Sequence, residues 1–224
     1  MENCSKIDII TGHFGSGKTE FAINYSIQFA KDNLKVALVD LDIVNPFFRT
    51  AEVKDILEDM GIKVIVPNFA GTTLDIPSLP ADIYGVFDDQ SYDKVVFDVG
   101  GDDLGAVVLG RYHLEIEKTG YNMFYVINTK RPLSSTRGQI VNMLRSVEES
   151  SRLKVTYLIN NTNLSYETTS EDIVEGQNII EKVSKELHIP IAYVTCKDNI
   201  VDDLPDDIKK KVFKLNLYMQ PIWK

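Results

Sequence analysis

Short apolar runs rich in β-branched residues recur along the chain, at residues 6–11, 35–40, 62–67, 94–98, 122–128, 154–160 and 190–195. Most are continuous rather than alternating, the pattern of parallel strands covered on both faces. Between them the apolar positions take up a helical period. Phe21, Tyr25 and Phe29 lie four apart within residues 20–32, one stripe of an amphipathic helix. Asn45 followed by Pro46 predicts a helix start, and the helix then runs to Met60 with Gly61 as its stop. A further helix is predicted over 135–149. Another runs from a Thr169 cap to Leu187, with Asp172 completing a capping box and Ile173, Ile180, Val183 and Leu187 on one face. Strands alternating with helices predict βαβ units, hence an α/β fold with a mostly parallel, doubly wound sheet of about seven strands flanked by helices. Residues 68–91, with Pro77, Pro80, Gly71 and Gly85, read as a long irregular segment. Such segments in compact domains are usually functional.

The junction of the first strand and first helix carries Gly12-His13-Phe14-Gly15-Ser16-Gly17-Lys18-Thr19, which fits GxxxxGK[ST]. Strand, glycine loop and helix in that order form a phosphate-binding loop. Glycines let successive N–H groups turn inward toward phosphate oxygens, and the helix N-terminus adds partial positive charge. Lys18 would neutralise the β- and γ-phosphates, and the Thr19 hydroxyl would take one position on Mg²⁺. The candidate nucleotide-contacting stretch is Gly12, Gly15, Ser16, Gly17, Lys18, Thr19 and Glu20. The glycine spacing is GxxGxG, and Lys18-Thr19 has no use in a dinucleotide site, which sets that fold aside.

In an open α/β sheet, ligands lie beyond the carboxyl ends of the strands. Asp40 ends the second run with Asp42 close behind, and Asp98 ends the fourth. An apolar strand ending in Asp suits a Mg²⁺ site, so Thr19, Asp40 and Asp98 are the metal candidates. Asp42 is the candidate to orient a hydrolytic water, and Lys18 and Asp42 form the catalytic pair. A strand-end acid is otherwise a solvated carboxylate or a cap. After Asp98, Gly100 and Gly101 suggest a segment that moves, with a Gly101 amide reaching the γ-phosphate; the alternative is a plain strand-to-helix turn.

Composition narrows the function classes. The 224 residues suit a single domain spanning 1–224, with a core over 5–200 and a C-terminal helix and tail over 204–224. A formal net charge of −9 argues against non-specific nucleic-acid binding. Cys4 and Cys196 have no CxxC partner and read as free thiols of a cytoplasmic protein. The N-terminal residues lack the layout of a secretory signal, and no apolar run is long enough to span a membrane. Lysines 209, 210, 211 and 214 among apolar residues raise a membrane-surface helix. Asp206 and Asp207 favour a helix packed on the domain instead. Thr129-Lys130-Arg131-Pro132 forms a basic spot on the ligand side of the sheet, open to phosphate, a partner or solvent.

Together, Gly12–Thr19, Val39-Asp40-Leu41-Asp42 with Asn45-Pro46, Asp98-Val99-Gly100-Gly101-Asp102, and Asn160 resemble the MinD/ParA/ArsA-type ATPases. These belong to the SIMIBI class of P-loop NTPases, with nitrogenase iron protein and the signal-recognition GTPases. The resemblance implies an ATP- and Mg²⁺-dependent switch acting on a protein partner, with slow hydrolysis, often as a homodimer sandwiching two nucleotides. Metallocofactor enzyme maturation and cellular positioning are roles of that kind. It matches Asp42 to the water-positioning acid and Asn160 to the adenine-reading Asn, although Asn160 also reads as a strand-end turn residue. GTP is disfavoured because Asn-Asn-Thr-Asn stands at 160–163 where Asn-Lys-x-Asp would be needed. The chain departs from the pattern at His13, where the family carries a second lysine that crosses to the partner's phosphates. A histidine side chain carries at most partial charge near neutrality. A small-molecule kinase or synthetase of the dethiobiotin-synthetase kind, with residues 68–91 as acceptor site, and a non-hydrolysing ATP sensor both remain open.

Overall fold

Among the described residues one eight-stranded sheet organises the chain, its pairings parallel, in the order β3-β2-β4-β1-β5-β6-β7-β8. The structure is a computed structural model that describes residues 5–41, 50–66, 81–89, 91–101 and 103–219. The strands are β1 (Ile7–Thr11), β2 (Val36–Leu41), β3 (Ile62–Ile65), β4 (Lys94–Val99), β5 (Tyr121–Ile127), β6 (Tyr157–Asn160), β7 (Ile191–Cys196) and β8 (Val212–Lys214). The helices are α1 (Lys18–Lys31), α2 (Thr50–Asp59), α3 (Ala81–Asp88), α4 (Asp103–Gly110), α5 (His113–Thr119), α6 (Arg137–Ser151), α7 (Ser170–Leu187) and α8 (Asp206–Lys209).

The continuous apolar runs are buried on both faces, as parallel strands between two helical layers must be. On one face Phe21, Val53 and Leu57 from α1 and α2 cover Ile10, Leu38 and Val96. On the other, residues such as Ile83, Leu109, Ile116, Leu144 and Ile180 of α3 to α7 cover Ile9, Phe97 and Met123. Along α1 Phe21 stacks on Tyr25 with ring centroids 5.3 Å apart, and Tyr25 meets Phe29 edge to face at 4.8 Å. Capping boxes open two helices, the one at α7 as its sequence predicts and the one at α6 without having been anticipated. Thr169 accepts from the Asp172 N–H at 3.3 Å while Asp172 accepts from the Thr169 N–H at 2.9 Å. Thr136 and Gln139 form the same box at α6. Gly61, at φ 81°, ends α2; the predicted Asn45-Pro46 start lies outside the described residues.

Three expectations change. Within the stretch read as irregular, Ala81–Asp88 forms α3, which buries Ile83 and Val86. The helix expected after residue 204 is only the single turn of α8, and Val212–Lys214 adds an eighth strand beside β7. The reason is packing: Phe213 sits 5.1 Å from Phe21 and 5.4 Å from Tyr193, completing the aromatic cluster over α1. Asp103–Gly110, partly read as a moving segment, is helical in α4. Gly105 is required there because a Cβ would come within 2.5 Å of the Gly100 carbonyl oxygen.

Candidate functional site

β1 lies between β4 and β5, and the loop that leaves it opens at the point where the strand order reverses. Ligands of open α/β sheets bind at that crevice. The loop 12–17 is built from backbone conformations that side chains oppose: Gly12, Gly15 and Gly17 have φ of 145°, 74° and 86°. Gly17 is constrained twice, since a Cβ there would also collide with the Asn161 amide nitrogen. Lys18 and Thr19 follow as the first residues of α1, each only 6% exposed. The Ser16 hydroxyl and the His13 Nδ1 are buried with no hydrogen-bond partner among the described residues. Buried polar atoms left unsatisfied are costly, so a cradle with two of them fits an anion that supplies acceptors.

The acids gather beside this loop. Asp40 and Asp98 are register partners on adjacent strands β2 and β4, and Asp98 is also the partner of Ile10 on β1, two residues before Gly12. Both are buried. Gly101 lies against the loop itself, where a Cβ would overlap the Gly12 carbonyl oxygen and approach His13 C and Phe14 N at 2.8 Å. Residue 101 must therefore lack a side chain for this loop to rest on the phosphate cradle. Asp42 lies outside the described residues, as does Asp102. Among the described residues no group of three or more His, Cys, Asp or Glu forms a metal cluster.

Two candidates are placed differently from expectation. Asn160 is fully buried, its amide donating to the Ile173 carbonyl and to Gln177 Oε1 at 3.1 Å each, while its oxygen accepts from the Thr162 N–H at 3.0 Å. With both amide hydrogens committed, it fits the turn-residue reading, and reading a base would require breaking that network. Glu20 accepts from the Tyr218 and Met219 N–H groups at 2.7 and 3.1 Å. Its carboxylate therefore holds the C-terminal tail onto α1, and would have to leave it to act at the nucleotide.

Asn161, which no local motif announces, and Arg131, from the basic spot at 129–132, also touch the loop. Asn161 donates to the Ser16 carbonyl at 2.6 Å and accepts from the Thr195 hydroxyl. Arg131 donates from Nε to the Gly15 carbonyl at 3.1 Å. Next to it, Lys130 pairs with Asp172 at 2.6 Å and Glu175 at 3.0 Å. Lys130, followed by the Thr169 N–H, holds the Asp172 carboxyl below its ordinary range. Beyond β6 and β7, an open groove of about 510 Å³ lies between Thr168–Glu171 and Asn199–Asp203, lined mostly by polar groups. Cys196 is buried, and desolvation pushes its thiol up to about 11, the property of an inert core thiol and not of a nucleophile. No helix among the described residues is long and apolar enough to cross a membrane.

No family model and no curated protein matches the chain. Solved structures do. Cell division protein FtsY from Thermotoga maritima superposes with a TM-score of 0.59 at 18% identity, over 97% of this chain and 66% of that one. The fold is a P-loop NTPase fold. Chloroplast FtsY from Physcomitrella patens gives 0.58 at 15% identity, over 87% of this chain and 59% of that one. A nucleotide-binding protein from Archaeoglobus fulgidus, in complex with ADP, gives 0.52 at 15%, over 88% and 84%. The chain thus spans less than two thirds of the length of these FtsY chains.

Proposed function

We propose that the chain is a Mg²⁺-dependent ATP-binding protein and slow ATPase of the MinD/ParA type, acting as a nucleotide switch on a protein partner. The observation that carries the reading is the loop 12–17, held open by left-handed glycines, with Lys18 and Thr19 at its exit and Asp40 and Asp98 in register beside it. Lys18 and the loop amides hold the phosphates. Thr19, with Asp40 and Asp98 acting directly or through water, would hold Mg²⁺, which usually keeps several waters and few protein ligands. When bound, the cation neutralises phosphate charge and orients the terminal group. Asp42, close after β2, orients the attacking water and takes its proton. Gly101 lets the loop after β4 follow the terminal phosphate, which links nucleotide state to α4 and α5.

Adenine over guanine is supported by Asn163, an amide where a guanine reader carries a carboxylate to accept from the base. A protein partner is supported by Phe14 on the loop and Leu133 two residues beyond Arg131, apolar side chains 58% and 55% exposed. A nucleotide-bridged homodimer is the further expectation of the resemblance.

The test is calorimetric titration with ATP, ADP and GTP in the presence of Mg²⁺. ATP and ADP should bind and GTP should bind at least about tenfold more weakly, a difference of ~1.4 kcal/mol; no heat with any of them overturns the reading. Asp42→Ala should keep ATP affinity within about threefold while phosphate release falls by about tenfold or more. Unchanged turnover would clear Asp42 of its role.

A further inference from the structure

The loop after β5 brings one cation onto the phosphate cradle, and its construction is specific. Asn128 is the hub. Its side-chain oxygen accepts from the Lys130 and Asn163 N–H groups at 3.1 and 3.2 Å. Its carbonyl accepts from the Arg131 N–H at 3.1 Å and the Ser134 hydroxyl at 2.7 Å. Lys130 ties the same loop to α7 through Asp172 and Glu175. Arg131 then extends over Gly15: a Cβ on that glycine would meet Arg131 Nε, Cζ and Cδ at 3.4, 3.7 and 3.8 Å. Among the described residues Nε alone is used, on the Gly15 carbonyl. Among the described residues Arg131 makes no ion pair, in contrast to Lys130 beside it. Among the described residues nothing accepts from the two terminal nitrogens of the guanidinium, which are placed to serve another acceptor.

Charge says what that acceptor is. The chain carries a net −9, so a polyphosphate approaches against the protein's overall field and needs local cations. Mg²⁺ on a fully ionised ATP leaves about two negative charges, which Lys18 and the α1 N-terminus, worth about half a charge, offset only in part. A planar guanidinium fits two phosphate oxygens at once, which an ammonium does not.

We propose that Arg131 supplies this charge from within the same chain: anchored on Gly15 through Nε, it turns its terminal nitrogens to the phosphates and strengthens its contact as charge develops during transfer. The proposal rests on the ATPase reading above. The charge then comes from within one chain, whether or not two copies meet across the nucleotide.

The experiment compares the wild-type chain with Arg131→Ala and Arg131→Lys, by calorimetry with Mg·ADP alone and with Mg·ADP plus aluminium fluoride, a mimic of the transferring phosphoryl group. Arg131→Ala should change ADP affinity by less than about threefold, yet weaken the fluoroaluminate complex by about 100-fold and lower phosphate release to match. Free guanidinium should partly restore Arg131→Ala, and Arg131→Lys should stay impaired. Equal weakening of ADP and of the mimic would reduce Arg131 to a prop for the loop and overturn the proposal. So would no change in either, or wild-type protein that binds ADP but gains nothing from fluoroaluminate. Wild-type protein that binds no nucleotide would instead remove the ATPase reading, and this proposal with it.

Discussion

Lys18→Ala is expected to weaken ATP and ADP binding by at least about 100-fold, beyond detection at ordinary calorimetric concentrations, because charge-assisted bonds to two phosphates are lost together. The side chain begins α1 and is 6% exposed, so the variant needs a fold control: far-UV circular dichroism and a thermal midpoint close to wild type. The contrast with Arg131→Ala is informative. Lys18 should act on ADP and ATP alike, as ground-state binding, whereas Arg131 should spare ADP and act on transfer. Undiminished nucleotide affinity in a folded Lys18→Ala protein would mean that the loop 12–17 holds no phosphate. Asp40, Asp98 and Gly101 would then lose their common purpose.

How much of this was legible depended on distance along the chain. β1, the glycine loop and α1 are contiguous, so their geometry is written in one short stretch, and each of the seven apolar runs became a strand. The run 154–160 was read too long. Strand β6 begins at Tyr157 because Thr156 bonds Met123 through both its backbone and its hydroxyl, and Leu153 and Val155 are buried in the approach to the strand. α3 was hidden by Gly85 and neighbouring prolines, although Ile83, Val86 and Phe87 have helical spacing. β8 was hidden because its lysines suggested an amphipathic helix, while only the folded α1 presents the aromatic surface that Phe213 needs.

The site divides the same way. Asp40 and Asp98 were readable as apolar strands ending in acid, and the sheet order then makes them neighbours. Arg131 and Asn161 reach the loop from 116 and 145 residues away, through turns whose course no local pattern encodes. The basic spot at 129–132 was visible; its anchor on Gly15 was not. Asn160 runs the other way, with two readings open in the sequence and its partners visible only in the fold. A polar residue ending a strand resembles a ligand group until its partners, Ile173, Gln177 and Thr162, are in place around it.

Asp8 likewise has partners that no local pattern announces, and truncating it should be among the most damaging single changes to stability. It interrupts the apolar run of β1 on the face covered by α1 and is 0% exposed. One carboxylate oxygen accepts from Lys94 at 2.6 Å and from the Tyr25 hydroxyl at 3.0 Å; the other accepts from Asn122 at 2.8 Å. Lys94, itself 2% exposed, also donates to the Ser5 carbonyl at 2.5 Å and lies 5.0 Å from the Phe29 ring centroid. Burial, and after it the Asp8 charge, hold the Tyr25 phenol far above its ordinary range, so it remains a donor at every working pH. Asp8→Ala leaves the Lys94 ammonium buried without its counter-charge, and should cost about 3–5 kcal/mol in urea denaturation. That is a large share of a total stability of order 5–15 kcal/mol. The double change Asp8→Leu with Lys94→Met removes both charges and should recover part of that loss but not all of it, because the Tyr25 hydroxyl and the Asn122 amide are left buried without their acceptor. Nucleotide affinity of the double variant should be unaltered, since the cluster is built on the opening residues of β1 and β4 and the site on their closing ones. A loss below about 1 kcal/mol for Asp8→Ala would mean that water reaches Lys94 when the carboxylate is gone, and that this end of the sheet is not sealed by α1.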